Sequence, residues 1–158
     1  MGVLCRLEEF EDQNGVISAT RISTHVIDMT NSATFRDVGI DPPWLVVLVR
    51  ATGTGSGSLT IALVSGGDVA LQTTPVVHYT SPAFVGTDMV AGTEIVKVRL
   101  PNVGSIAGVP SAAPNMKRYL GLQFTVSGTV GAVKLTAGLT KDAQSNTIYA
   151  AAGSAKIS

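Results

Sequence analysis

The sequence predicts an all-β fold, an antiparallel jelly-roll-like sandwich or barrel of about seven or eight strands with extended N- and C-terminal arms. Three observations predict it. Apolar and polar residues alternate with period two in several windows, the signature of strands with one buried face. Gly, Pro, Asn and Asp punctuate those windows at short intervals. No window combines a cap with the apolar spacing of three and four residues that a helix needs, and Ala150–Ala152 is too short and too close to Gly153.

Taken in chain order, residues 1–17 carry the acidic cluster Glu8-Glu9-Phe10-Glu11-Asp12 and read as an N-terminal arm. Residues 18–142 read as the sandwich domain, and residues 143–158, rich in Ala, Ser and Gly, as a C-terminal tail. Within the domain, Ser23–Met29 is a short strand candidate. Pro42-Pro43 starts the run WLVVLV at Trp44–Val49, which is apolar on both faces and β-branched, as a central strand covered on both sides would be. Leu59–Val64 is the next strand, Ser65–Asp68 a turn, and Val76–Thr80 a shorter strand.

In Glu94–Leu100, Val96, Val98 and Leu100 share one face while Lys97 and Arg99 point outward, and Pro101 ends the pairing by removing a donor. Asn102–Asn115, with Pro110 and Pro114 among Gly, Ser and Ala, is too long for a turn and reads as a surface excursion. The clearest strand is Tyr119–Ser127, where Leu120, Leu122, Phe124 and Val126 alternate with polar or small residues. Val133, Leu135, Ala137 and Leu139 repeat that pattern, and the intervening Gly128-Thr129-Val130-Gly131 predicts a hairpin connection between the two runs.

A chain of 158 residues is the size of one domain with a core of its own. Its charged fraction of 14% is low beside the roughly 25% of ordinary soluble proteins. Eleven basic residues balance eleven acidic ones without a run of like charge, so the electrostatic footprint of a nucleic-acid binder is missing. Such a surface suits burial against other protein. Cys5 is the one cysteine, which rules out an internal disulfide and a thiolate metal cluster and points to a cytosolic origin. Neither a signal peptide nor a membrane span of about 18 apolar residues is present, and Arg6 stands where myristoylation after Gly2 favours Ser or Thr.

In RATGTGSGSLTIALVS (Arg50–Ser65), Gly53, Gly55 and Gly57 occupy alternate positions, a glycine-rich stretch of the kind found in phosphate cradles. A P-loop requires Lys and Ser/Thr after its last glycine and then a helix; here Ser58 and a strand follow, so the segment reads as a connection between strands. His25 and His78, the two histidines, lack zinc-motif spacing and read as sheet-surface side chains. Asp28, Asp37 and Asp41 do not follow the spacing of a calcium loop. Gly55-Ser56-Gly57 lacks the strand-to-helix turn of a nucleophile elbow. Trp44 is read as core packing, with an interface anchor as the alternative. No catalytic, cofactor or metal residue is assigned.

The stretches STHVID (23–28), FRDVGIDPPWLVV (35–47), SLTIALVSG (58–66), Glu94–Pro101 and KRYLGLQFTVSG (117–128) come in an order and spacing that resemble one family. It is the capsid cement, or decoration, proteins of tailed bacteriophages typified by the cement protein of a Bordetella phage. The resemblance covers roughly residues 15–142 and leaves both termini outside it. It implies a non-enzymatic jelly-roll-like domain, made in the host bacterial cytoplasm and assembled on the outer surface of the virion's icosahedral head. There it would bridge neighbouring subunits of the major capsid protein and stabilise the shell. It also implies a homo-oligomer, a homodimer ahead of a trimer. The N-terminal arm and the 101–115 excursion are the expected contact regions, since long loops carry binding more often than strands do.

Two rivals remain at this level. A carbohydrate-binding β-sandwich would need exposed aromatics, for which Trp44, Tyr79, Tyr119 and Tyr149 are available. A small hydrolase would need His25 or His78 beside a nucleophile.

Overall fold

The computed structural model describes residues 9–12, 15–29, 43–100 and 117–140. Cys5, Asp37, Asp41, the 101–115 excursion, Tyr149 and the 143–158 tail lie outside them. The described residues form strands β1 (Glu9–Glu11), β2 (Val16–Ile17), β3 (Arg21–Ile22), β4 (Ile27–Asp28), β5 (Trp44–Ala51), β6 (Ser58–Gly66), β7 (Val76–Thr80), β8 (Phe84–Val85), β9 (Glu94–Arg99), β10 (Tyr119–Ser127) and β11 (Val133–Thr140). Among the described residues one 3-10 turn, Gly86–Asp88, is the sole helical element.

Two antiparallel sheets face each other. The first has the order β1-β11-β5-β9, with β2 also on β11; the second has the order β3-β10-β6-β7, with β4 also on β10 and β8 on β6. Counting β1 with β2, β3 with β4 and β7 with β8 as split strands, the orders read 1-8-3-6 and 2-7-4-5, a jelly-roll-like winding. The split between β7 and β8 falls at Ser81-Pro82-Ala83. Proline has no N–H for the ladder, and beside it the Ile61 amide donates to a side chain, Ser81 Oγ, at 2.9 Å.

Alternation decides which residues form the core. Leu59, Ile61 and Leu63 of β6 and Leu120, Leu122 and Phe124 of β10 face Leu45, Val47 and Val49 of β5 and Leu135, Ala137 and Leu139 of β11 in one buried cluster. On β5 the opposite face is also covered at its centre, since Val46 has no exposed surface. That is the two-sided cover its apolar run predicts. Trp44 shares the outward face with Val46 and stays half-buried outside the core cluster, which corrects its reading as core packing.

The 1–17 segment divides differently from its composition. β1 and β2 pair with β11 and bring Phe10 and Ile17 into the core at 0% exposure, so part of this segment belongs to the sheet. Phe10 sits between acidic neighbours, and period two lets it point inward while Glu9 points out. Glu11 is fully buried too. Its carboxylate accepts Arg21 Nη2 at 2.7 Å and Nη1 at 3.0 Å, the Thr24 amide at 2.9 Å and the Thr24 hydroxyl at 3.0 Å. Arg21 in turn lies 5.4 Å from the Phe124 ring centre. This cluster closes the edge of the sandwich where β1 and β3 meet.

Gly128–Gly131 is not a hairpin connection: β10 belongs to the second sheet and β11 to the first, so the segment crosses between sheets. The 52–57 segment, the glycine-rich stretch, makes the same crossing from β5 to β6. These two crossings lie backbone on backbone. Gly57 donates to Thr129 O at 2.7 Å, and Thr54 and Gly55 donate to Val130 O at 3.3 Å. A Cβ on Gly55 would overlap the Thr129 carbonyl, and one on Gly57 would stand 2.7 Å from Gly128 C. Glycines at alternate positions give an extended segment one bare face, and that face receives the neighbouring main chain.

Candidate functional site at the loop-bearing end

The winding gives the sandwich two unlike ends. At one end lie the crossings 52–57, 86–93 and 128–132, knitted by main-chain hydrogen bonds that also include Gly53 N to Met89 O at 3.0 Å and Gly86 N to Gly57 O at 2.8 Å. The amides of Gly53, Gly55 and Gly57 are thus all donated to carbonyls of this chain. None is left for a phosphate, so the structure gives the stretch a packing role, in keeping with its reading as a strand connection.

At the other end strands terminate in register: Tyr119 opposite Asp28 and Gly66, and Trp44 opposite Arg99 and Thr140. β4 and β9 end here and β5 and β10 begin here, so the long stretches of sequence that join β4 to β5 and β9 to β10 start from this end. Connections carry binding groups more often than the strands that hold them, so this end is the candidate functional surface.

Its described part is built from three groups. Arg118 grips Asp28 with two parallel bonds, Nε to Oδ1 at 3.1 Å and Nη2 to Oδ2 at 2.9 Å, and its guanidinium sits 4.9 Å from the Tyr119 ring centre. The Asp28 carboxylate holds the Arg118 guanidinium above its ordinary value. The second group is the 67–75 loop. Asp68 Oδ1 accepts the amides of Gln72 at 2.8 Å and Thr73 at 3.0 Å. The Thr73 amide first, and the Gln72 amide with it, hold the Asp68 carboxyl below its ordinary value.

This loop folds Leu71, 6% exposed, back over the outer face of the second sheet. A Cβ on Gly121 would meet Leu71 Cδ1 at 2.9 Å, so glycine is what admits the side chain. Leu71 and Thr74 hold φ values of 56° and 45°, strained for residues with a Cβ. Val69 is left 61% exposed at the loop and Val77 51% exposed on β7.

The third group is Ser65, fully buried at the end of β6. Its hydroxyl lies 2.7 Å from His78 Nε2 and accepts the Lys117 amide at 3.0 Å. A nucleophile and base stand at this distance in a hydrolytic triad. Here, however, Ser65 has no exposed surface, and His78 Nδ1 is buried without a partner where a triad places its orienting carboxylate. Burial pushes the His78 imidazole below its ordinary value.

The other residues singled out in the sequence are dispersed. His25 is exposed in the segment between β3 and β4, its amide on Phe10 O at 3.0 Å, whereas His78 is on β7 at the opposite edge of the second sheet. Asp28 is engaged by Arg118. Among the described residues no group of three or more His, Cys, Asp or Glu could hold a metal ion. Tyr79 packs against the core, Tyr119 lies beside Arg118 and Trp44 belongs to the other sheet, so these aromatics make no common platform. Sequence reasoning missed the Glu11–Arg21–Thr24 cluster, the Asp28–Arg118 pair and the Ser65–His78 pair. Ser65 alone left a trace, as a hydroxyl at an inward position of an alternating strand.

The family model Bbp16 matches residues 11–139 of the chain. No curated protein matches it.

Proposed function

The chain belongs to the Bbp16 family of bacteriophage proteins, and from that premise we propose that it is a capsid cement protein, bound to the outer surface of an assembled phage head. The family match over most of the domain carries this reading, and the resemblance of its strands to cement proteins gives it content. Two physical features support it. The chain carries little charge and no net charge, which lowers the cost of burial against other protein. Its sandwich is closed by short crossings at one end, and the long stretches of sequence between β4 and β5 and between β9 and β10 start from strand ends at the other, which is where a partner surface is placed in this reading.

The mechanism is mass action. A protein that binds the assembled shell but not its separated subunits stabilises the shell by RT ln(1 + [L]/Kd), about 2.7 kcal/mol per site at a hundredfold excess over Kd. By spanning neighbouring major capsid protein subunits, it opposes the outward load of packaged DNA without any chemical step. A homodimer would add avidity, because its second contact is made at the effective concentration set by the first. A trimer at three-fold positions is the alternative.

Co-sedimentation with heads of the parent phage stripped of this protein tests the proposal. Saturable binding, density bridging adjacent capsid subunits by cryo-electron microscopy, and a raised disruption temperature are expected. Heads that neither retain the protein nor gain stability would refute the cement role. Sedimentation of the free protein at micromolar concentration separates dimer from trimer.

A further inference from the structure

We propose that Ser65 and His78 form a pH-sensitive latch at the loop-bearing end, in which neutral His78 ties β6, β7 and the approach to β10 together and its protonation releases them. Ser65 Oγ accepts the Lys117 amide on one lone pair at 3.0 Å and lies 2.7 Å from His78 Nε2. In the latched state neutral His78 has Nε2 bare, and the Ser65 hydroxyl gives it its one proton. Protonation of the ring makes Nε2 a donor. Ser65 Oγ then takes two donors on its two lone pairs, while its own proton, in a fully buried site, loses the acceptor it had. A cationic ring is left half-buried, with Nδ1–H buried and unpartnered.

The ladder is weakest at this point. Leu63 pairs with Tyr79 and Val64 with Val77, so His78 is the extra residue of a bulge and its side chain replaces the missing main-chain pairing. Among the described residues no charged group is hydrogen-bonded to the ring. Along β6, Ser58–Gly66, no side chain other than the hydroxyls is polar, and none titrates in this range. On β7 the neighbouring Tyr79 packs against the core. At the approach to β10 stand two cations, Lys117 and Arg118, the latter paired with Asp28. In the 67–75 loop, Asp68 Oδ1 is taken by two amides. β9, from the facing sheet, carries Arg99 together with Glu94 and Lys97, which pair at 3.9 Å. None of these groups is hydrogen-bonded to Nδ1.

The sign follows from burial. A histidine whose folded value lies below its ordinary 6.5 favours the fold fully above that value. The contribution is lost as pH falls through 6.5 toward the folded value, because the unfolded chain takes up the proton first. The latch therefore holds at neutral pH and loosens in acid.

The chain has two histidines, so the His78 imidazole resonance is readily assigned. It is followed in the full chain by NMR from pH 8 to 5, together with amide exchange. The expected result is that His78 titrates below the ordinary histidine value of 6.5, and that the protection factor of the Lys117 amide falls as His78 gains its proton. In His78→Gln, that fall with pH should disappear. Titration of His78 at or above its ordinary value would overturn the proposal, as would a Lys117 amide whose protection ignores the titration. If His78→Gln fails to fold, the wild-type measurements decide alone.

Discussion

Two ion pairs of similar geometry separate what a charge does when buried from what it does at the surface. Glu11 has no exposed side-chain surface and Arg21 keeps 29%, so the carboxylate depends on its four protein donors. Replacing Glu11 with Ala strips Arg21 and Thr24 of that acceptor and opens the β1–β3 edge. We expect a loss of about 3 kcal/mol by urea unfolding, at the low end for a buried pair because Arg21 can turn toward water. The Asp28–Arg118 pair is nearly as short, 2.9 Å, but Arg118 is 53% exposed. Asp28→Ala should cost less than Glu11→Ala, and less still with added salt. Equal losses in the two variants would contradict this assignment of burial. Neither pair was legible in the sequence, where Glu11 stands in an acidic cluster and Asp28 and Arg118 are 90 positions apart.

At the scale of elements, the crossings distinguish two uses of glycine. Gly55 and Gly57 are bare because another main chain lies against them. Alanine at either position forces two backbones apart, and an overpacking cost of about 2 kcal/mol or more is expected. Gly92 differs: its φ is +88°, but a Cβ there would meet nothing within 4 Å. Gly92→Ala should cost only about 1 kcal/mol, the strain of a left-handed residue. Thermal unfolding of the three variants would rank them, and a Gly92 variant as damaged as the others would sink the distinction. The sequence marked the 53–57 and 128–131 glycines as connections and left Gly92 unremarked. It could not say that the Gly128–Gly131 connection changes sheets, because a tight glycine turn and a tight glycine crossing have the same composition.

At the scale of the molecule, both sheets contribute to one buried cluster, from Leu45 and Leu135 on one side to Leu63 and Phe124 on the other. Among the described residues this is the one core cluster, and both sheets depend on it. Unfolding should therefore be a single cooperative transition, with calorimetric and van't Hoff enthalpies equal. Phe124→Ala should destabilise the whole by about 4 kcal/mol while preserving that single transition. Two resolved transitions would show that the sheets fold separately.

The sequence by itself determined the class of the fold and the line of its main strands. Period-two alternation depends only on a local geometric fact, that successive side chains leave a strand on opposite faces. Thus β7 and β10 coincide with the predicted strands, and β5, β6, β9 and β11 differ from theirs by a residue or two at the ends. The order and spacing of its motifs also resemble a phage family. Pairing, by contrast, came from the three-dimensional structure: which strands share a sheet, which end is sealed, and that part of the N-terminal segment belongs to the core. It also brought Ser65 to His78 and Glu11 to Arg21. Those outcomes come from long-range contacts, where many strand orders satisfy the same local pattern and only the packing of two complete faces selects one.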